Sequence, residues 1–311
     1  MIREESFTFR SSSGEAEVHG VRWIPEGEVR AVLQISHGMS EHITRYRGFA
    51  EFMAAHGILV VGHDHLGHGD TAKSPEDYGY FAEKKGTVAL VRDLHRVWSI
   101  TKKEYGEVPY VLLGHSMGSF LARQYLCSFS DGLDGAVLCG TGYHPEAELK
   151  TALSLCRAEA AVKGWRYRSR LFDWMANGSY NLHFQPCRTK FDWLCRDNSV
   201  VDAYIADEQC GFRFTLNGYY NLFFCLYKII RPEYLAQMKR DLPVYFIAGA
   251  EDPVGNCGKG VQKVVSIFEE TGMRNVECKL YPNDRHELLN ELDRYAVYED
   301  LLEWMQKNHC R

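Results

Sequence analysis

Three residues in this sequence have the types and the order that covalent catalysis by a serine requires. Ser116 lies in a Gly-x-Ser-x-Gly pattern. Asp252 comes just after the apolar segment 242–250, and His286 comes soon after the segment 276–281. A serine hydroxyl becomes a nucleophile when a histidine takes its proton, and a carboxylate fixes that histidine in the right tautomer. We therefore expect Ser116 to attack, His286 to act as base and Asp252 to orient it.

The surroundings of Ser116 predict how the chain presents it. The apolar segment 110–113 predicts a short buried strand, and a helical pattern runs from Met117 to about Phe129. At such a strand-to-helix turn the serine backbone is strained, and residues larger than glycine two positions away would collide with neighbouring backbone. This context predicts the nucleophile elbow of an α/β-hydrolase, in which the serine oxygen stands at the C-terminal edge of the sheet.

Other residues were weighed for the same roles. Glu251 is the alternative acid, but Asp252 is favoured because the Pro and Val that follow it suit a loop leaving a strand. His115 lies inside the elbow and is expected to point away from the serine. Four histidines in earlier loops are read as structural or pocket residues: His42, His63, His65 and His68.

Two backbone amides are the candidate oxyanion hole. A mostly apolar segment, 31–36, predicts a strand that ends at His37-Gly38, and the α/β-hydrolase fold takes an N–H donor from the loop after such a strand. We expect the N–H groups of Met39 and Met117 to bind the oxygen of the substrate carbonyl.

A metal or a nucleotide cofactor is not predicted. Segment 63–70 holds three histidines near aspartates, but it lacks the H-x-H-x-D-H pattern of binuclear metallohydrolases because Gly67 stands where the aspartate belongs. A polar loop held by hydrogen bonds is the favoured reading of this segment. Segment 258–260 is not a phosphate-binding loop, because position 253 is proline and position 260 is not serine or threonine.

Strand and helix patterns alternate outside a central segment. This alternation predicts an α/β fold with a mostly parallel, doubly wound sheet formed by 1–142 and 235–311. Segment 143–234 has no clear strand pattern and holds Trp165, Trp174 and Trp193, so it predicts a helical cap inserted after the sixth strand. Some of its aromatic side chains should line a pocket. The predicted helices outside the cap include 46–56, 83–105, 261–270 and 288–308.

Composition excludes several classes of protein. The 311-residue chain has a net charge of −5 and no long basic run, which gives no support for nucleic-acid binding. Its ten cysteines form no C-x-x-C pair, which favours reduced thiols and a cytoplasmic location. No secretion signal is visible, and the longest apolar run, 219–230, is too short to span a bilayer. Transient contact with a membrane surface stays open, and the oligomeric state cannot be read.

Five ordered segments resemble the monoacylglycerol lipase and lysophospholipase group of α/β-hydrolases, which shares a domain family with serine aminopeptidases. The segments are His37-Gly38-Met39-Ser40-Glu41-His42 with Arg45-Tyr46, Asp64-His65-Leu66-Gly67-His68-Gly69, Gly114-His115-Ser116-Met117-Gly118-Ser119, Asp252-Pro253-Val254, and Arg285-His286-Glu287-Leu288-Leu289-Asn290-Glu291. The resemblance implies esterase chemistry on an acyl glycerol or lysophospholipid, without a metal. Leu66 replaces the usual arginine of the second segment, Asp70-Thr71 follows where the family often has serine, and the cap does not match the membrane-docking lid of the animal lipases.

Three functions follow from these residues. The leading prediction is a serine hydrolase that cleaves carboxylic esters through an acyl-enzyme, with an apolar acyl pocket under the cap. An aminopeptidase or amidase could use the same triad, but it needs a cap carboxylate to hold the substrate's amino group. The available carboxylates are Asp173, Asp192, Asp202, Asp207 and Glu208. A sensor that binds a ligand and turns over slowly is the third possibility.

Overall fold

A computed structural model describes residues 2–308, which form one eight-stranded sheet flanked by helices. The strands are β1 (Arg3–Arg10), β2 (Glu17–Ile24), β3 (Ala31–Ser36), β4 (Ile58–His63), β5 (Tyr110–His115), β6 (Gly135–Cys139), β7 (Val244–Gly249) and β8 (Val276–Tyr281). Their order across the sheet is β1-β2-β4-β3-β5-β6-β7-β8. The first two pairings are antiparallel and all the others are parallel. The predicted mostly parallel, doubly wound sheet is confirmed.

The five central strands are buried along their whole length because both faces of the sheet are covered. Every residue of β3, β4, β5, β6 and β7 is buried. In β5, Leu112 packs into the core on one face while Val111 and Leu113 pack into the core on the other, as the two-residue period of a strand requires. The elbow therefore follows the most enclosed part of the sheet.

Helices cover the two faces of the sheet. They are α1 (Arg47–Ala55), α2 (Gly86–Tyr105), α3 (Met117–Phe129), α4 (Glu146–Lys163), α5 (Arg170–Asn177), α6 (Asn198–Ala206), α7 (Leu216–Lys228), α8 (Pro232–Leu235), α9 (Lys259–Glu270) and α10 (Arg294–Asn308). The buried sides of α1 and α10 pack on one face, and those of α2, α3 and α9 pack on the other. Among the described residues, no helix is both long and apolar enough to cross a bilayer.

Helices α4 to α8 lie between β6 and β7 and form the predicted cap. Phe172, Leu216 and Phe223 of these helices join the same buried cluster as α2 and α3, so the cap shares a core with one face of the sheet. A smaller buried cluster within the cap contains Trp193 and Tyr204. The limits 143 and 234 stay a prediction.

Several predicted helix boundaries were wrong by a few residues. The helix predicted to start at position 83 starts at Gly86, after Lys85 in a left-handed conformation with φ of 53°. The closing helix predicted from position 288 is a short 3-10 turn, Leu288–Asn290, and α10 begins at Arg294. The segment predicted as one helix from 46 begins as a 3-10 turn, Ile43–Tyr46, before α1. Helix α9 starts two residues before the predicted position 261.

Candidate active site

Ser116 occupies a strained turn between β5 and α3. Its φ and ψ of 53° and −122° lie outside the ordinary regions for a residue with a side chain. A Cβ on Gly114 would lie 2.3 Å from the carbonyl oxygen of Gly118, and one on Gly118 would lie 1.9 Å from that of Ser36. Both glycines are therefore required by close backbone approach. This is the geometry of a nucleophile elbow.

His286 and Asp252 meet at the same edge of the sheet. The Nδ1–H of His286 donates to Oδ2 of Asp252 at 2.9 Å, and the backbone N–H of Val254 donates to Oδ1 at 2.9 Å. Both side chains are buried, whereas Glu251 is exposed. Because Nδ1 is engaged with the aspartate, Nε2 is the nitrogen left for proton transfer.

A cavity of about 700 Å³ joins the predicted residues. Ser116 and His286 both line it, together with Met39 and Met117, while Asp252 lies behind the histidine. The other walls come largely from the cap, including the apolar side chains of Leu149, Leu222, Phe223 and Leu226. A volume of this size, with an apolar wall and convergent polar groups, is typical of a small-molecule site.

The two candidate oxyanion donors flank Ser116 from different segments. Met117 is the first residue of α3, where backbone N–H groups have no partner within the helix and the helix dipole favours negative charge. Met39 lies in the loop after β3. That loop approaches the elbow closely, since a Cβ on Gly38 would lie 3.2 Å from the Cβ of Ser116.

A buried carboxylate, Glu41, holds this loop against the elbow. Its Oε1 accepts hydrogen bonds from the backbone N–H of Gly38 at 2.6 Å and the hydroxyl of Tyr46 at 2.8 Å, and it lies 3.3 Å from Nδ1 of His115. Its Oε2 accepts from Arg45 at 2.7 Å. Burial opposes ionisation, but the His115 hydrogen bond and the Arg45 charge hold the pKa of Glu41 well below its usual range.

Arg45 extends the same network to the loop that carries the histidine. Its two terminal nitrogens donate to the carboxylate of Glu287 at 2.8 and 2.7 Å, which is the bidentate geometry of a strong ion pair. Glu287 is the neighbour of His286. One buried cation thus links the loop of Met39 to the loop of the candidate base.

Sequence reasoning assigned no role to Glu41, Arg45 or Glu287. All three lie in segments quoted for the resemblance, within six residues of Met39 or His286, which was the available signal. Their pairing was not readable because Arg45 and Glu287 are 242 positions apart.

The cap also contacts the histidine loop. The ring of Trp193 lies 5.1 Å from that of His286. The backbone N–H of Glu287 donates to the carbonyl oxygen of Leu194 at 2.7 Å, and the guanidinium of Arg285 donates to that of Asp192 at 2.6 Å. The candidate base is therefore enclosed by cap residues on its solvent side.

Two further histidines, His115 and His144, line the cavity, and the ring nitrogens of His115 face groups other than Ser116. Nδ1 of His115 faces Glu41 and Tyr46, and its Nε2 lies 3.3 Å from the carbonyl oxygen of His286. Burial would lower the pKa of His115, but the hydrogen bond and charge of Glu41 raise it overall. Four other histidines, His42, His63, His65 and His68, are buried and do not line the cavity.

Within residues 2–308, three groups of side chains have possible metal ligands within 4.8 Å of one another: His42, Asp207 and Cys210; His19, Asp64 and Asp70; and Asp284, Glu291 and Asp293. Each is already engaged. The ring of His42 bonds Asp207 at 2.8 Å, Asp64 accepts from two backbone amides and His19, and Arg196 pairs with all three acids of the last group. None of these residues lines the cavity that contains Ser116 and His286. The absence of a metal from the reaction stays a prediction.

The chain is similar to known proteins over nearly its full length. Residues 27–293 match the family described as serine aminopeptidase, S33. A monoacylglycerol lipase of Mycolicibacterium smegmatis is 27% identical over 304 residues, 95% of this chain and 97% of that protein. A monoglyceride lipase of Rattus norvegicus is 37% identical over only 100 residues, 32% of this chain and 31% of that protein. The crystal structure of a thermostable carboxyl esterase from Bacillus coagulans, in complex with glycerol, superposes with a TM-score of 0.91, 28% identity and 99% coverage of both chains.

Proposed function

The chain belongs to the serine aminopeptidase (S33) family, and from this premise we propose that it cleaves carboxylic esters through an acyl-enzyme formed on Ser116. The enzyme is a carboxylic ester hydrolase. The observation that carries the mechanism is the joint position of three groups. A strained serine and a histidine bonded to a buried aspartate line one apolar cavity.

The reaction proceeds in two steps at these residues. Ser116 Oγ attacks the ester carbonyl while Nε2 of His286 takes its proton, and the N–H groups of Met39 and Met117 bind the oxyanion. Each such donor is worth roughly 3–4 kcal/mol in comparable sites. His286 then protonates the departing alcohol and activates the water that releases the acid. Asp252 holds the tautomer and stabilises the imidazolium.

The proposed substrates are monoacylglycerols or lysophospholipid-like esters. The buried apolar wall, with Leu149 and Leu226, suits an acyl chain. Two exposed cations, Arg170 and Lys190, also line the cavity and suit hydroxyl or phosphate oxygens of a headgroup. Comparing hydrolysis of monoacylglycerol and lysophospholipid with the same acyl chain separates the two headgroups.

An exposed apolar surface of the cap supports transient contact with a lipid surface. Leu171 and Trp174 of α5 are 50% and 68% exposed, and Leu182 is 68% exposed. Trp174 also lines the cavity, so this surface adjoins the site. We propose that it meets the lipid phase from which the substrate comes. A cytoplasmic location is proposed with it, because the nine cysteines within residues 2–308 are free thiols.

Aminopeptidase activity is the second candidate, and two cap carboxylates, Asp173 and Glu148, line the cavity. Of the five carboxylates considered, only Asp173 lines the cavity. Its Oδ2 lies 3.2 Å from Nε of Arg213, and its Oδ1 accepts from the hydroxyl of Tyr219 at 3.3 Å. Because Arg213 already balances its charge, Asp173 is poorly suited to bind a substrate ammonium group. Glu148 keeps the peptidase alternative testable, and the similarity to a monoacylglycerol lipase and a carboxyl esterase supports ester hydrolysis as the first candidate.

The test is a series of p-nitrophenyl esters from acetate to palmitate, with aminoacyl anilides in parallel and Ser116→Ala as the blank. We expect kcat/KM to peak at medium or long acyl chains and the anilides to be poor substrates. A peak at acetate would contradict the acyl pocket. Faster turnover of the anilides would favour the peptidase, and full ester hydrolysis by Ser116→Ala would overturn the mechanism.

A further inference from the structure

Ser40, the residue after the candidate oxyanion donor Met39, is held in a strained conformation. Its φ is 55°, a value that residues with a side chain adopt rarely. Such strain persists only where the surrounding structure over-determines the backbone, and it concentrates at functional sites. The contacts that fix Ser40 therefore bear on the position of the neighbouring amide.

Most of these contacts come from the cap. The carbonyl oxygen of Ser40 accepts from the hydroxyl of Tyr204 at 2.9 Å and from the backbone N–H of Gly211 at 2.9 Å. The hydroxyl of Ser40 donates to the carbonyl oxygen of Phe212 at 2.7 Å. Only the backbone N–H of Ser40 is held by the core, where it donates to Nε2 of His68 at 3.2 Å.

The amide of Met39 thus lies between two residues that are held in place by different parts of the fold. On one side the core carboxylate of Glu41 holds the N–H of Gly38. On the other side the cap holds Ser40. An oxyanion donor must be preorganised to within a few tenths of an ångström, so a shift at either side lowers its contribution. The second candidate donor, Met117, is fixed by α3 and does not share this dependence.

Tyr204 is the side chain that makes this connection. It is 6% exposed, and its ring lies 4.8 Å from the guanidinium carbon of Arg45 and 5.0 Å from the ring of Phe191. These ring contacts direct its hydroxyl at Ser40. We propose that Tyr204 is a positioning residue, through which the cap holds the Met39 amide in the oxyanion hole. This inference rests on the proposed ester hydrolysis.

The test is Tyr204→Phe, which keeps the ring contacts and removes only the hydroxyl. A full oxyanion donor contributes about 10²–10³-fold to kcat in comparable sites, and a displaced one keeps part of this, so we expect kcat for p-nitrophenyl butyrate to fall about tenfold with KM within about twofold. The inhibition constant of an alkyl trifluoromethyl ketone, whose adduct places its oxygen in the hole, should rise by a similar factor. Ser40→Ala, which removes only the bond to Phe212, should have a smaller effect in the same direction.

Tyr219→Phe is the matched control, because it also removes a buried cap hydroxyl but one bonded to Asp173 of the cap. It should match Tyr204→Phe in melting temperature and keep the wild-type kcat and inhibitor affinity. Equal losses in both variants would assign the effect to a loosened cap and overturn the inference. A raised KM with intact kcat would assign Tyr204 to substrate contact, with the same consequence. Full hydrolysis by Ser116→Ala would instead overturn the proposed function.

Discussion

The sheet edge and the cap both depart from the usual rule that charged residues are exposed and apolar residues are buried, but they do so in different ways. At the sheet edge the charged groups are buried and paired, as Glu41, Arg45 and Glu287 show. In the cap, apolar side chains face solvent. Nine of the eleven large apolar residues that are exposed within residues 2–308 lie between positions 155 and 205. The comparison separates two tasks in the proposed mechanism, in which the sheet edge holds the reacting groups and the cap contacts the substrate.

The largest expected effect is on kcat, and it distinguishes Asp252 from the adjacent acid Glu251. Asp252→Asn should lower kcat for ester hydrolysis by about 10⁴-fold, because the histidine loses the partner that fixes its tautomer. Glu251→Gln is the matched control, since Glu251 is exposed and next in sequence. Steady-state kinetics on one soluble ester measure both. Equal losses, or a loss confined to Glu251→Gln, would contradict the assignment of Asp252.

The next effect concerns stability at the buried edge. Arg45→Met leaves Glu41 and Glu287 without their cation and should lower the free energy of unfolding by about 3–5 kcal/mol. Arg47 makes an equally short pair with Glu4, 2.7 Å, but its side chain is 52% exposed. Because solvent screens that pair, Arg47→Met should lower the free energy of unfolding by less than about 1 kcal/mol. Denaturant unfolding measures the free energy of unfolding of both variants. Similar losses in Arg45→Met and Arg47→Met would contradict the claim that the buried ion pairs matter more than the surface pair.

A third prediction concerns how the free energy of unfolding falls at acid pH. Burial lowers the pKa of His63 to about 3, and neither ring nitrogen has a hydrogen-bond partner within residues 2–308. Because the folded pKa is below the unfolded value of about 6.5, the unfolded state binds the extra proton between these pH values. Stability is therefore complete above about pH 6.5 and falls on acidification. His63→Phe should reduce that slope by about 1.4 kcal/mol per pH unit.

Denaturant unfolding at several pH values between 7 and 4 measures the slope for both proteins. His63 packs against Phe9 with ring centroids 5.8 Å apart, so an apolar ring fits its surroundings chemically. An unchanged slope in His63→Phe would show that this histidine does not contribute to acid sensitivity.

The smallest effect on the folded chain is expected in the cap. Leu182→Ser should change the free energy of unfolding by less than about 0.5 kcal/mol, because the side chain is 68% exposed. Hydrolysis of a short soluble ester should also be unchanged, since Leu182 does not line the cavity. Binding to phospholipid vesicles, measured by co-sedimentation, should weaken. Unchanged vesicle binding in both Leu182→Ser and Leu171→Ser would contradict the proposed lipid contact.

The sequence predicted the sheet edge better than the cap, and the reason is physical. The family resemblance, the α/β-hydrolase fold and the carboxylic ester hydrolase class are confirmed. The fold was readable from the alternation of strand and helix patterns and the family from five ordered segments, of which the elbow is encoded locally by Gly114 and Gly118 around Ser116. The catalytic roles of Ser116, Asp252, His286, Met39 and Met117 stay predictions, although the structure brings these residues to one site.

What escaped prediction depends on contacts between distant segments. The pairing of Arg45 with Glu287 and the bond from Tyr204 to Ser40 join residues 242 and 164 positions apart. No periodicity in the sequence reports such contacts. Leucine is most often a core residue, so the sequence does not reveal that the leucines of the cap are exposed. Only their positions in the fold show the apolar surface.

Labelling by an alkyl fluorophosphonate tests the central claim most directly. The reagent phosphonylates a serine only where a base activates it, so the account predicts one adduct per chain on the peptide that contains Ser116, with loss of ester hydrolysis in proportion to labelling. Asp252→Asn should label much more slowly, and Ser116→Ala not at all. Full ester hydrolysis by a chain that carries the adduct on Ser116, or an adduct at another residue that tracks the loss of activity, would contradict the account.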